Sequence, residues 1–223
     1  MRGLLKLIIG LAVLLGLLVG ADRIAVGVAQ DEAADRLVST GKISGRPKVS
    51  IDGFPFLTQA VAGRFDSVRL SGEGVTVSGG REKVPLRSFS MQLSGVEVGS
   101  GYRSATVHSG SGSGVVSYGD VARLVSGTEQ IELSYAGPGE VGASVGGMPV
   151  GQGSVHSKGD TITADGFRLG GLGALLNGAA NGLLGPRSFT LTDLPAGLSL
   201  ESATPEPDGL KLTFHGSDVK LVG

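Results

Sequence analysis

The chain has 223 residues, no cysteine, and a net charge of -1 from 19 basic and 20 acidic side chains. With no long run of one sign, nothing neutralises a phosphate backbone, which argues against nucleic acid as a partner. The missing thiols exclude disulfides, thiolate metal sites, cysteine nucleophiles and the thioether of a bacterial lipoprotein.

In chain order, Met1 to Gly20 reads MRGLLKLIIGLAVLLGLLVG. Arg2 and Lys6 precede an apolar run from Leu7 to Ala21, and with the apolar residues that continue past Ala21 the stretch comes close to the ~20 residues that span a bilayer. The basic end is expected to stay in the cytoplasm, with the rest of the chain outside. Val19-Gly20-Ala21 offers the small residues of a signal-peptide cleavage site. Ile24, Ala25, Val26 and Val28 instead carry the apolar character onward, as a signal anchor would. Residues 1–21 therefore read as a signal anchor or a signal peptide, and residues 22–223 as one domain large enough for its own core. That domain is expected in the cell envelope, held at the outer face of the cytoplasmic membrane or exported.

Asp22 to Thr40 reads as a helix with Ile24, Val28, Leu37 and Val38 on one stripe, ending at Gly41. Lys48 to Ile51 is a short strand. Pro55 suits the first turn of a short helix and Gly63 its end. Phe56, Leu57, Ala60 and Val61 are expected to form its buried face. Two strands then slip in phase. Val68 and Leu70 give way to Val75 and Val77, and Phe89, Met91 and Leu93 give way to Val96 and Val98. Each slip contains Ser-Gly, at Ser71-Gly72 and Ser94-Gly95. That is the signature of a β-bulge, and aligned bulges bend a sheet around a helix or a ligand. A loop between two short strands fits the same pattern.

Ser109 to Gly114, SGSGSG, is of low complexity and reads as a flexible loop. Tyr118 to Val125 reads as a helix capped by Ser117, with Val121, Leu124 and Val125 inward. Strand-like runs follow at Ile131–Tyr135, Val141–Val145, Thr161–Thr163 and Phe167–Leu169. Gly170 to Gly185 is rich in Leu, Ala and Gly and suits a mobile apolar helix or a lid. Ser188–Thr192, Leu198–Ser202, Leu210–His215 and Asp218–Leu221 close the chain as strands, separated by Pro- and Gly-containing turns. The 40 glycines between short β-prone runs, without a G-X-Y period, fit a β-rich protein and exclude collagen. The sum is an α+β domain without a βαβ rhythm.

Catalytic and cofactor signals are thin. Gly142-Ala-Ser144-Val-Gly146 matches the G-x-S-x-G of esterases, but the residues after it form a turn and no helix. His108, His156 and His215 lack a second histidine at metal-ligand spacing. No Gly-rich segment is followed by Lys-Ser/Thr, so no phosphate loop is present. No cofactor is expected. Aromatics make up only 4% of the chain and tryptophan is absent, which argues against a sugar- or base-stacking surface.

The stretch Arg46-Pro-Lys-Val-Ser-Ile-Asp-Gly-Phe-Pro-Phe-Leu-Thr-Gln59, with Gly63-Arg-Phe-Asp-Ser-Val68 and Gly74-Val-Thr-Val77, resembles the LmeA family of actinobacterial phospholipid-binding envelope proteins. The block Gly-Phe-Pro-Phe-Leu-Thr-Gln is its most specific part. Leu93-Ser-Gly-Val96, Val116-Ser-Tyr118, Asp193-Leu-Pro-Ala-Gly-Leu198 and Pro207-Asp-Gly209 agree more weakly. The resemblance implies a TULIP/BPI-like domain, in which a long, strongly curved antiparallel sheet wraps a helix and leaves an apolar tunnel. It implies non-enzymatic binding of a phospholipid or other acyl lipid, in lipid transfer or envelope maintenance, with the membrane as a second partner. Phe54, Phe56, Leu57, Phe65, Leu70, Phe89, Met91 and Leu93 are the apolar residues expected to line the lipid site; an ordinary solid core is the alternative for each. A lipid esterase using Ser144, or an envelope scaffold without a lipid ligand, are the other functional readings.

Overall fold

The computed structural model describes residues 2–39, 43–79, 82–99, 104–126, 131–170, 186–191 and 194–222. Helix α1 spans Arg2–Ser39 without a break, so the helix expected from Asp22 is the continuation of the apolar segment. At 1.5 Å per residue it is about 57 Å long. It is long and apolar enough to cross a membrane, and its apolar window is wholly unburied. Only Asp22, Val26 and Ala34 are buried. Their spacing of four and eight residues makes one stripe. The stripe expected from Ile24 and Val28 is corrected here: both are exposed. Two residues along a helix is a rotation of about 200°, and the packing face belongs to Asp22 instead.

The reason lies in α2, Phe56–Ala62. Pro55 at its N-cap offers no side-chain acceptor for the first amides of the helix. Asp22 supplies one from α1: its Oδ1 accepts the Leu57 N–H at 2.8 Å. Gly63 ends α2 in the left-handed conformation. Phe56 is buried, but Leu57 and Val61 are exposed, so the expected buried face of α2 holds for Phe56 and fails for those two.

Among the described residues the strands form two antiparallel sheets and no closed barrel, where one long sheet was expected. The larger has seven strands: β1 (Ile43–Ser44), β2 (Lys48–Asp52), β3 (Arg64–Gly79), β4 (Glu82–Val98), β5 (Ser104–Val116), β11 (Leu198–Glu206) and β12 (Gly209–Val222). Its order is β1-β3-β4-β5-β12-β11, with β2 also on β3. The smaller runs β10-β9-β8-β7-β6, from β6 (Ile131–Gly137), β7 (Glu140–Val145), β8 (Met148–Lys158), β9 (Thr161–Leu169) and β10 (Arg187–Thr190). Helix α1 packs on β1, β2 and α2. Helix α3, Tyr118–Ser126, packs against β6, β10 and β12. Ser117 caps it, its Oγ accepting the Asp120 N–H at 3.2 Å.

The phase slips are present, but they are not bulges between β3 and β4. The register across that pair stays constant from Arg64↔Glu97 to Gly79↔Glu82. Instead, Asp66, Gly95, His108 and Asp218 occupy one row across β3, β4, β5 and β12 and are absent from the residue pairings. Gly95 (φ 63) and Asp218 (φ 49) are left-handed there. A strand that changes phase alone would lose its partner; all four change together and pairing resumes beyond. The other slip falls at Gly74 (φ 60), just past the expected Ser71-Gly72.

The SGSGSG segment is also corrected. It lies inside β5, with Gly110, Gly112 and Gly114 opposite Leu93, Met91 and Phe89 of β4. A Cβ on Gly112 would stand 2.8 Å from Met91 Cγ. The glycines make room for β4 side chains lying across them. The expected helix or lid at Gly170–Gly185 falls outside the described residues from 171 onward.

Among the described residues three clusters hold the core. One joins the two sheets through Val116, Leu200, Leu210 and Leu212, with Val155 and Ile162 packed on it. A second lies within the smaller sheet around Ile131, Ala143 and Val150. The third, around Val96, Val107 and Val219 beyond the unpaired row, has Phe65, Val68 and Leu93 packed on it from both sides of that row. Asp160, in the β8–β9 turn, ties the sheets: its carboxylate accepts the Leu200 N–H at 2.9 Å.

Candidate functional site

Between the two sheets, under α3, lies an apolar cavity of about 100 Å³. The larger sheet contributes Val84, Val116, Leu210 and Leu212 to its wall. The smaller sheet contributes Val155, Ile162 and Phe167, and α3 contributes Val121 and Leu124. Arg187 is the one charged residue among the described lining, and Tyr118 brings the one hydroxyl. That hydroxyl is engaged, donating to the Glu206 carbonyl at 2.7 Å. Burial pushes the Tyr118 phenol above its ordinary pKa, with the neighbouring Tyr135 adding to the rise. Such a site can shelter hydrocarbon and offers little to a polar solute. Its volume is below the ~300–1,000 Å³ usual for ligand pockets.

The cavity wall continues along the larger sheet. Directly paired residues share a face, so the register extends the wall row by row. Leu212 pairs with Gly114, and Gly114 with Phe89. The next row on that face is Phe214–Gly112–Met91–Leu70, and the one after is Gly216–Gly110–Leu93–Val68. Beyond the unpaired row it passes into Val219, Val107 and Val96, on which Phe65 packs. From Leu210 to Val219 this face covers about 30 Å at 3.3 Å per residue. Glycines floor its middle and half-buried apolar side chains flank them.

The eight residues expected at a lipid site divide into two groups. Phe65, Leu70, Phe89, Met91 and Leu93 lie half-buried on β3 and β4, on the apolar face just traced. Phe56, 5% exposed, stacks on Phe65 with ring centroids 6.1 Å apart at the far end of that face. Phe54 and Leu57 point outward, 62% and 41% exposed, with the Arg23 guanidinium 5.3 Å from the Phe54 ring centroid. None of the eight lines the cavity between the sheets. The cavity's own residues in α3, β6, β7, β9 and β10 were legible only as inward helix positions and strand runs, and Val155 of β8 was not legible. Nothing local in their sequence shows that they meet Leu210 and Leu212.

The residues that invite a catalytic reading are scattered. Ser144 lies in β7, and its Oγ donates to a Glu132 carboxylate oxygen at 3.3 Å. The strand turns through Gly146-Gly147 into β8, a hairpin where an esterase elbow needs strand, turn and helix. His108 faces Asp218 at 3.5 Å and His156 faces Asp165 at 3.7 Å, both on exposed surface. His215 is exposed on β12. Among the described residues no three His, Cys, Asp or Glu side chains gather as metal ligands would.

A family profile described as LmeA-like phospholipid-binding matches residues 20–215. No curated protein and no solved structure matches the chain.

Proposed function

We propose that this chain, which belongs to the LmeA-like phospholipid-binding family, holds the acyl part of a phospholipid along the inner face of its larger sheet. The supporting observation is the unbroken apolar face from the cavity at Leu210 and Leu212 to Phe65 and Phe56. At about 30 Å it exceeds the ~15 Å depth of one leaflet's hydrocarbon, half of a bilayer core. Phe65, Leu70, Phe89, Met91 and Leu93 contact the chain in this reading, and Phe56 with Phe54 and Leu57 forms the mouth. The cavity between the sheets takes the chain's tip and widens by parting sheet from sheet. The two sheets then act together as the curved tube of a TULIP/BPI-like domain.

Binding of this kind draws on apolar area, about 0.8 kcal/mol per buried methylene, and needs no proton transfer. The protein is therefore a carrier or holder of lipid and not an enzyme. α1 holds it at the outer face of the cytoplasmic membrane, or releases it there if the leader is removed after Ala21, and it serves lipid transfer or envelope maintenance.

The test is solvent extraction of the purified full chain, followed by lipid analysis and uptake of a fluorescent phospholipid. Lipid in the extract, and loss of uptake in Met91→Asp with uptake retained in Ser144→Ala, are the expected results. An empty extract together with no uptake would overturn the proposal. Loss of function in a folded Ser144→Ala variant would transfer it to the hydrolase reading.

A further inference from the structure

We infer that Phe54, Leu57 and Val61 form a membrane-docking edge that seats the α2 end of the groove in the headgroup layer of the bilayer. The inference rests on the reading of α1 as a membrane-embedded helix. Three observations carry it. The three side chains are 62%, 41% and 91% exposed, an unusual concentration of bare apolar surface within eight residues. Leu57 and Val61, four residues apart, share one face of α2, and Phe54 lies one residue before the Pro55 N-cap.

The second observation is height. Asp22 is the first charge after the apolar run of α1, so it marks where that helix leaves the hydrocarbon. The same carboxylate accepts the Leu57 amide, which pins the start of α2 to that level. The third is chemistry. Arg23 lies over the Phe54 ring, so a cation and an aromatic are paired at the membrane–water boundary. There a ring sits among headgroups, and the guanidinium, ion-paired with Asp22 on one side, keeps its other half exposed toward them. The opposite side of α2 carries Phe56, stacked on Phe65 at the end of the apolar face. One short helix thus has the bilayer on one side and the groove on the other, and a lipid passing between them crosses only α2.

The absence of native cysteine makes single-site labelling clean. The full chain is reconstituted in phosphatidylcholine–phosphatidylglycerol vesicles with an environment-sensitive fluorophore on Val61→Cys, Leu14→Cys or Asp208→Cys, each in separate protein. Doxyl groups on lipids, placed shallow or deep in the acyl chain, quench the label by contact. The expected result is that the label at 61 is quenched several-fold more than that at 208, most strongly by shallow doxyl, while the label at 14 is quenched by deep doxyl. If position 14 is quenched and position 61 behaves like 208, the docking edge is overturned and the anchor stands. If neither is quenched, both readings fall. Val61 is almost fully exposed, so its replacement leaves the core untouched.

Discussion

Phe54 and Phe56 stand two positions apart in very different surroundings. Removing the Phe56 ring takes away a buried group stacked on Phe65. Phe56→Ala is expected to cost about 3–5 kcal/mol, a large part of a usual ~5–15 kcal/mol. Phe54→Ala loses its exposed contact with Arg23, about 0.5–1 kcal/mol. Thermal melts of the two variants check this, and equal destabilisation would show that Phe54 is packed in solution. Gly112 makes a related case on the apolar face of the larger sheet. A methyl there meets Met91 Cγ at 2.8 Å and the Ser90 carbonyl at 3.0 Å. Gly112→Ala is expected to destabilise the fold by about 1–3 kcal/mol, the cost of overpacking, and, on the proposed reading, to lower lipid uptake as Met91 is displaced from its place on that face. A melt and an uptake measurement unchanged from the parent would show that the sheet yields freely at this point.

Among the elements, α1 packs on α2 and also caps it with the Asp22 carboxylate. Asp22→Ala leaves the Leu57 amide without its acceptor, a loss of about 0.5–2 kcal/mol if it behaves like other lost caps. Faster hydrogen exchange at Leu57 is the expected signature, with the smaller sheet unchanged. Asp22→Asn, which keeps an acceptor oxygen, should recover most of the protection. Elements with a local chemical signature were legible in the sequence: α2 from Pro55 and Gly63, α3 from Ser117, β7 from its alternating valines. Strand β5 was not, although its Ser-Gly alternation has the right period of two. Its inward positions are glycines because β4 side chains fill the space above them, so the hydrophobic signal for β5 is written in β4. Strand β8 was hidden in the same way, behind Gly151 and Gly153; a Cβ on Gly153 would run into the Phe167 ring.

For the whole molecule, the decisive fact is which strands lie together. The larger sheet is completed by β12 pairing with β5, strands from distant parts of the chain. The smaller sheet is built entirely from the residues between them. Periodicity reports which side of a strand is apolar, not which distant strand it meets, and so the α+β class was readable while the division into two sheets was not. The cavity between them follows from that division. Ala164 lines it from β9, and Ala164→Phe is expected to fill it, cutting phospholipid uptake with a stability change within the ~1–3 kcal/mol of overpacking. Uptake equal to the parent's in a folded Ala164→Phe protein would place the lipid elsewhere. The continuity of α1 has its own consequence. It runs unbroken into the stretch that packs on β1, β2 and α2. On the anchored reading no slack linker separates bilayer from domain. Such a protein cannot ferry cargo across the aqueous space. It patrols one membrane in two dimensions, as a fixed loading station to which any acceptor must travel.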